Sequence, residues 1–422
     1  MAFPTRGKEE FAAVYMPMQK LVKVGFGKMG RMKVPITSHA IDYGTGTFEG
    51  IRFYEVNGKA AIFRLNEHVE RLFASAKTGN YKLPISKEGI RNAIIETVRR
   101  SGMTSGYIRP KIFLGESSIR VSPHPETHVV FHVYTQELLD YYKTGQRGDK
   151  GMSVLIASKP RRTPFPNSKM SGAYQAGAAL APEASVHGAT ENLYLNSKGE
   201  ISELTGSNFF MIKGKTIFTP PVIRGEVLPG ITRDTISKIA KEFGLKFVQK
   251  TIRPNDLLSA DEVFVTGTAA EVSKVSEIKI PIKNGKIATY AAGRKLPGNI
   301  DAILKEARKK GIVPKEGVIS INIPSKNRSV EDPKPISYVD LLRDKYKDIV
   351  HGKEAKRQKW LTIVDRVAPI TSAKEYFSKH ITESGLNVHE MPDRGIWELL
   401  KLRKMGPSGR ISAGLGVGKR SE

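Results

Sequence analysis

Between residues 65 and 78, Leu65, Val69, Leu72 and Phe73 fall at helical spacing, and residues 87–100 repeat the pattern with Ile90, Ala93, Ile94 and Val98. Two runs rich in β-branched and aromatic residues follow, 106–114 and 127–134, and both read as strands. A polar stretch, 136–150, separates them from a strand over 152–158. The pattern then predicts an alanine-rich helix over 172–186 and short strands over 191–195, 208–212 and 216–219. A helix over 232–243, closed by Gly244, leads to a buried strand over 262–266. Strands and helices mixed in this way predict an α+β fold.

The texture changes near Lys286. A helix is expected over 299–310, a strand over 317–323 and a helix over 337–350. Ser372 and Glu375 form a capping box that opens a helix to about Ser384. A last helix, 394–405, carries Lys401, Arg403 and Lys404 in its final turn, where the helix dipole favours them. Residues 406–422 are rich in Gly and Ser and are expected to be disordered.

Composition narrows the chemistry. The chain of 422 residues has no cysteine, which excludes disulfides, thiolate metal sites and cysteine nucleophiles. There is no stretch of signal-peptide character and none of membrane-spanning length, so a cytoplasmic protein is expected. The net charge of +26 invites a nucleic-acid reading. The positive excess is spread along the chain, with no basic block interleaved with aromatics in the first 300 residues. A basic proteome or attraction of small anions accounts for it better.

Two motifs are set aside. Gly25-Phe26-Gly27-Lys28-Met29-Gly30 matches a dinucleotide fingerprint, but the extended, proline-broken 31–35 follows it, so a glycine-rich hairpin is expected. His124, His128 and His132 recur every four residues, yet 127–133 reads as a strand. There His128 and His132 stand roughly 13 Å apart and cannot share a metal.

The chemistry gathers elsewhere. Lys169 sits in the polar turn Pro166-Asn167-Ser168-Lys169-Met170-Ser171, five residues before Tyr174, and Glu203 closes the run Ile201-Ser202-Glu203. An amine, a phenol and a carboxylate are the groups that a pyridoxal phosphate enzyme needs. They serve respectively to form a Schiff base, to bond the ring oxygen and to hold the ring nitrogen protonated. Leu228-Pro229-Gly230-Ile231-Thr232-Arg233 opens a helix and reads either as an anion site or as a plain helix start. Thr266-Gly267-Thr268-Ala269-Ala270-Glu271 is a second small-residue turn, open to the same two readings. In 38–54 glycines alternate with aromatics, and Tyr43 and Phe48 are candidates for an apolar pocket wall. Tyr107 and Arg109 share one strand face, as a carboxylate clamp or a solvated edge.

In combination and in order, "YGTGTFEGIRFY", "YIRP", "LPGITRD" and "TGTAAEV" resemble the fold-type-IV pyridoxal phosphate aminotransferases, most closely the branched-chain amino acid aminotransferases. The resemblance covers about 36–275 and resumes near 336–364. It implies a small N-terminal α/β domain (1–135), a linker (136–150) and a larger pseudo-barrel domain that binds the cofactor (151–285 and 336–364). It leaves an insertion (286–335) and a basic helical C-terminal extension (365–422) unplaced. It implies pyridoxal 5'-phosphate as cofactor and Lys169 as the Schiff-base lysine, moving a proton at the substrate Cα. Tyr174 and Glu203 would hold the ring, and Arg71, Ile231, Thr232 and Thr268 the phosphate. Tyr107, Arg109, Thr268 and Ala269 would bind the substrate carboxylate, and Tyr43 and Phe48 would shape the side-chain pocket.

The implied reaction is ping-pong amino transfer between leucine, isoleucine or valine and 2-oxoglutarate, in amino-acid biosynthesis. A homodimer or trimer of dimers is implied, with the site at the dimer interface. Against the family pattern, Leu204 follows Glu203 and could crowd the ring. Ser207-Asn208 and Ala173 also depart from it, and Arg120 stands where a second carboxylate could bind. The alternatives are a D-amino acid aminotransferase or aminodeoxychorismate lyase of the same fold. A further alternative is an inactive homologue that binds nucleic acid through the basic tail.

Overall fold

In the computed structural model, the described residues are 10–15, 21–28, 34–83, 85–117, 119–124, 127–138, 151–160, 165–222, 227–283, 286–287, 317–323, 337–365, 372–380 and 387–390. The first part of the chain alternates β1 (Glu10–Tyr15), β2 (Leu21–Lys28), α1 (His39–Tyr43), β3 (Gly46–Phe48), β4 (Ile51–Val56) and β5 (Lys59–Phe63). The helices α2 (Leu65–Thr78) and α3 (Lys87–Ser101) follow, then β6 (Gly106–Leu114) and β7 (Val129–Gln136). The middle part holds β8 (Met152–Ile156), α4 (Gln175–Val186), β9 (Glu191–Leu195), β10 (Ile201–Leu204), β11 (Asn208–Lys213) and β12 (Thr216–Thr219). Then come α5 (Ile231–Ile239), β13 (Lys246–Gln249), β14 (Glu262–Gly267), β15 (Glu271–Lys283), β16 (Lys286–Ile287) and β17 (Gly317–Asn322). The chain closes with α6 (Tyr338–Val350), β18 (Leu361–Val364), α7 (Ala373–Ser378) and β19 (Asn387–Glu390).

These strands make two sheets. One runs β18-β5-β4-β6-β7-β1-β2-β19, with β3 on β6. Against it α2 and α3 bury the apolar stripes read from the sequence: Leu65, Val69, Leu72, Ile90, Ile94 and Val98 meet Ile51, Ile62, Ile108 and Ile112. The other runs β10-β9-β8-β15-β14-β11-β12-β13, and a β10–β11 pairing closes six of its strands into a barrel. Period-2 alternation divides its residues. Phe209, Met211, Val263 and Val265 belong to one core with Val154 and Leu193. Phe210, Ile212 and Phe264 belong to another with Ile236 of α5, Leu342 of α6 and Tyr54 and Phe63 of the first sheet. That second core joins the two sheets and fixes the cleft between them.

Several expectations need correction. β2 runs straight through Gly25 and Gly27, which pair with Ala13 and Phe11, so the glycines lie inside a strand rather than at a hairpin turn. The predicted strand at 127–134 starts and ends two residues later, as β7. The predicted helix at 172–186 is a 3-10 turn over Ser171–Tyr174 followed by α4. Within the segment set aside as an insertion, β17 pairs along β15 from Glu277 to Ile282, so this stretch belongs to the second sheet. β18, assigned from sequence to the larger domain, pairs with β5 of the first sheet. β19, from the C-terminal extension, pairs with β2 at the opposite edge of that sheet. Ser372 does cap α7, its hydroxyl accepting from the Glu375 amide at 3.1 Å. The helices expected over 299–310 and 394–405, the Gly/Ser-rich end and most of the linker lie outside the described residues.

Candidate active site

Lys169 is held by its backbone before its side chain does anything. Its amide donates to Ser75 Oγ of α2 at 3.0 Å. Its carbonyl accepts from Thr47 Oγ1 at 2.8 Å and from the Phe48 amide of β3 at 3.2 Å. Three bonds to the first sheet and its helix therefore aim the side chain into the cleft. There Nζ lies 2.8 Å from the Tyr174 hydroxyl. It stands 4.9 Å from the Phe48 ring centre and 5.0 Å from that of Tyr174.

Glu203 is buried on β10. Asn208 Nδ2 donates to its Oε2 at 2.9 Å, and the Leu228 amide reaches both oxygens at 3.1–3.2 Å. Leu204, the next residue, points to the opposite strand face and packs in the barrel core, so it does not crowd the space before Glu203. Asn208 also donates to the Leu228 carbonyl at 2.9 Å. A Cβ at Gly230 would lie 2.0 Å from Asn208 Oδ1, so this approach requires glycine.

Gly230 begins α5, and no side chain caps it. The first amides of the helix, with the dipole behind them, therefore remain available to an anion. Arg71 comes to the same place, donating from Nη1 to the Pro229 carbonyl at 2.8 Å. Behind it the fully buried Glu49 accepts from Arg71 Nε at 2.6 Å and Nη2 at 2.8 Å, and binds His68 Nδ1 at 2.8 Å. Burial opposes the charge on Glu49, but Arg71 and His68 outweigh it and hold the carboxyl well below the usual range. Burial lowers His68, which stays neutral at pH 7. Arg64 adds a second brace to α5. It takes a left-handed φ of 51° and donates to the Ile231 carbonyl at 3.1 Å and Thr235 Oγ1 at 3.0 Å.

The Thr268–Ala270 turn joins β14 to β15. Glu271, at a left-handed φ of 49°, fixes it by binding Arg52 Nη1 at 2.8 Å and the Tyr54 hydroxyl at 2.7 Å. The Tyr54 hydroxyl is 3.5 Å from that of Tyr346, which bonds Thr232 in turn. The turn and the start of α5 are thus linked through side chains of three elements.

On β6, Arg109 Nη2 donates to the Tyr107 hydroxyl at 2.8 Å, and its guanidinium lies 4.6 Å from the Phe48 ring centre. Burial pushes the Tyr107 phenol up to about 12, so it is a neutral donor at pH 7. Lys169, Tyr174, Phe48, Tyr107 and Arg109 form one contact group. Glu203, Arg71, Ile231 and Thr232 gather around residues 228–230, and Thr268 and Ala269 sit on the braced turn. Tyr43 stands apart from these contacts. It is 37% exposed, packs at a tilt against the His39 ring and donates to the Ile119 carbonyl. Arg120 is exposed on the same loop.

Sequence reasoning left out Glu49, His68, Arg64 and Glu271. For Glu49 there was a signal: a carboxylate set among apolar residues and glycines one position after Phe48. Of the three histidines only His132 lies on β7, whereas His124 and His128 precede the strand. Among the described residues no group of three His, Cys, Asp or Glu could hold a metal.

The barrel and a site that holds an amine, a phenol, a carboxylate and an uncapped helix start define a pyridoxal phosphate enzyme of fold type IV. The family described as Amino-transferase class IV matches residues 46–278. The branched-chain-amino-acid aminotransferase of Salmonella typhimurium strain LT2 is 37% identical over 253 residues, 58% of this chain and 80% of that protein. A putative branched-chain-amino-acid aminotransferase of Methanocaldococcus jannaschii is 34% identical over 257 residues, 60% and 85% of the two. A solved T.th. branched-chain amino acid aminotransferase with pyridoxamine 5'-phosphate aligns with a TM-score of 0.63 at 31% identity, covering 81% of this chain and 96% of that one. The chain belongs to the class IV aminotransferase family, with pyridoxal 5'-phosphate as its cofactor.

Proposed function

We propose that this chain transfers amino groups between branched-chain L-amino acids (leucine, isoleucine, valine) and 2-oxoglutarate, with Lys169 as the catalytic amine. The observation that carries the reading is the 2.8 Å contact of Lys169 Nζ with the Tyr174 hydroxyl, supported by Glu203 and Arg71, which both meet residues 228–229 just before α5. The likeness to enzymes named for branched-chain amino acids supports the substrate class.

When bound, the cofactor supplies an electron sink for the bonds at the substrate Cα. The chain does the rest. Arg71, the Ile231 and Thr232 amides and Thr268 bind the phosphate. Glu203, kept in place by Asn208 and Leu228, holds a proton on the ring nitrogen, and the Tyr174 phenol binds the ring oxygen. Lys169 Nζ accepts the Cα proton and later returns it, acting as base and then acid. Tyr107, Arg109 and the Thr268–Ala269 turn orient the substrate carboxylate. Phe48 excludes water beside Nζ. The two substrates use this one site in turn.

We further propose a homo-oligomer. Ile36, Ile41, Tyr43, Ile119 and Val121 are 37–89% exposed on α1, the segment before it and the loop over 119–121, joined by the Tyr43–Ile119 and His39–Val121 hydrogen bonds. A second copy of the chain would cover this apolar patch.

The test is an absorbance spectrum of the purified protein with and without L-leucine. A visible band that shifts on adding L-leucine is expected, and Lys169→Ala is expected to lose turnover. Amino transfer from D-alanine but not from L-leucine would overturn the substrate assignment.

A further inference from the structure

The helix α2 carries two stripes, one residue out of step. Leu65, Val69, Leu72 and Ala76 fall at i, i+4, i+7 and i+11 and belong to the core that the helices make with the first sheet. Arg64, at the N-cap, and His68, Arg71, Ser75 and Thr78 repeat that spacing one position earlier, so they share the neighbouring face. Each residue of this polar stripe is bonded to the site or to a group that braces it. Arg64, buried, gives Nη1 to the Ile231 carbonyl at 3.1 Å and to Thr235 Oγ1 at 3.0 Å, and Nη2 to Asp234 at 2.7 Å, so it grips the first turn of α5. Its amide donates to the Trp360 carbonyl at 2.6 Å, and its guanidinium lies 5.1 Å from the centre of that ring. His68 and Arg71 meet on Glu49, and Arg71 holds the Pro229 carbonyl.

One turn beyond Arg71, about 6 Å along the axis, the stripe reaches the other end of the site. Ser75 Oγ, also buried, accepts the Lys169 amide at 3.0 Å. Thr78 gives its own hydrogen to the Ala74 carbonyl at 3.1 Å and therefore accepts from Ser168 Oγ at 2.8 Å. The segments held in this way have no regular structure of their own: Lys169 and residues 228–230 lie outside any helix or strand. A ligand that meets an amine at one end and an anion cradle at the other has a fixed length. The two segments must therefore keep their spacing to about 0.5 Å, which a shared helix does better than two loops.

We propose that the polar stripe of α2 sets the distance between the two ends of the site, with Ser75 and Arg64 as positioning residues. Ser75 fixes the backbone from which the Lys169 amine extends, and Arg64 fixes the start of α5 that receives the phosphate. Neither is assigned a contact with cofactor or substrate. The proposal rests on Lys169 as the amine and on α5 as the phosphate site; it does not depend on the substrate class.

The test uses the full chain freed of cofactor. Pyridoxal 5'-phosphate, or pyridoxal, the same aldehyde without the phosphate, is added while the visible band is followed. In Ser75→Ala the band is expected to form about fivefold more slowly with both aldehydes, the scale of one lost hydrogen bond, and the ratio of their affinities to stay unchanged. In Arg64→Met affinity for pyridoxal 5'-phosphate is expected to fall about tenfold while that for pyridoxal holds, so the ratio falls. If Arg64→Met does not fold, Arg64→Lys, which cannot make the three bonds to α5, is read in the same way. An Arg64 effect that falls alike on both aldehydes is the mark of a merely structural role and overturns the proposal. An unaltered rate in Ser75→Ala, or a Ser75→Ala loss confined to pyridoxal 5'-phosphate, overturns it too. Lys169→Ala is expected to give no band. A band there would show that the amine assignment has failed and this proposal with it, whereas an unaltered Ser75→Ala rate with no band in Lys169→Ala would show that this proposal alone has failed.

Discussion

Glu49 and Arg71 meet at two points, 2.6 and 2.8 Å, with the carboxylate wholly out of contact with solvent. The pair faces the start of α5 through the bond of Arg71 to Pro229. Glu49 thus sets the orientation of a cation that is proposed to meet the cofactor phosphate. Glu49→Gln keeps the shape and removes the charge, leaving Arg71 buried without its anion. Such one-sided breaks cost about 3–5 kcal/mol of stability. Affinity for pyridoxal 5'-phosphate is expected to fall about tenfold or more. Thermal unfolding and equilibrium dialysis of the cofactor measure the two effects. Unchanged values for both would remove Glu49 from this role.

Gly50 governs the substrate wall. A Cβ there would stand 2.0 Å from the Tyr107 hydroxyl, so Gly50→Ala must displace the phenol and break its 2.8 Å bond to Arg109. The expected result is a KM about tenfold higher for amino acid and 2-oxo acid alike, the value of one charge-assisted bond. The visible spectrum of the bound cofactor should not move. A KM equal to that of the unaltered protein would show that Tyr107 and Arg109 do not hold the carboxylate.

What the sequence revealed follows a physical division. The helices α2 and α3 were legible because a single apolar stripe decides them locally. The strand of Lys111 and Arg109 was legible by its alternation. Short motifs singled out Lys169, Tyr174 and the α5 start because a polar turn or a Pro-Gly pair stands at a fixed offset from each, and Glu203 because it closes a strand-like run. Pairings between distant segments were not legible. Nothing local in Leu361–Val364 says that it will lie on β5, nor in Gly317–Asn322 that it will extend β15. The same holds for charge pairs. Arg64 reaches Ile231, and Glu271 reaches Arg52 and Tyr54, only after folding brings the two sheets together. Tyr43, a pocket-wall candidate by composition, ends α1 and donates to the Ile119 carbonyl, a contact that nothing local in the sequence announces.

Acid should weaken this fold from near neutrality, through neutral histidines. Burial lowers His132 from 6.5 to about 3 and His128 from 6.5 to about 4. Above the unfolded value both states are neutral and neither residue contributes. As pH falls below it, the unfolded chain takes up protons that the folded chain refuses, so stability drops until the folded value is reached. Each histidine is expected to cost about 2 kcal/mol between pH 6.5 and 5. His132→Phe keeps a ring beside Tyr134 and removes a buried Nδ1 that has no partner. Its urea midpoint should depend less steeply on pH over that interval. A slope equal to that of the unaltered protein would show that His132 is not the group being titrated.

Asn208 carries the last prediction, since it joins three parts of the cleft. One amide nitrogen donates to Glu203 and to the Leu228 carbonyl, and the amide oxygen closes on Gly230. Its removal takes one hydrogen bond from Glu203, which keeps that of the Leu228 amide, and frees the loop that leads into α5. Asn208→Ala should therefore lower kcat, through a carboxylate less well aimed at the ring nitrogen, and also loosen the cofactor, through a displaced helix start. Glu203→Gln should lower kcat with less effect on cofactor affinity, because the loop keeps Asn208. If Asn208 acts through Glu203, its effect on kcat must shrink once Glu203 is already changed. A double-mutant cycle on kcat is expected to show a coupling of about 0.5–3 kcal/mol, the range for residues in one hydrogen-bonded network. Strict additivity on kcat would mean that Asn208 serves only to shape the loop.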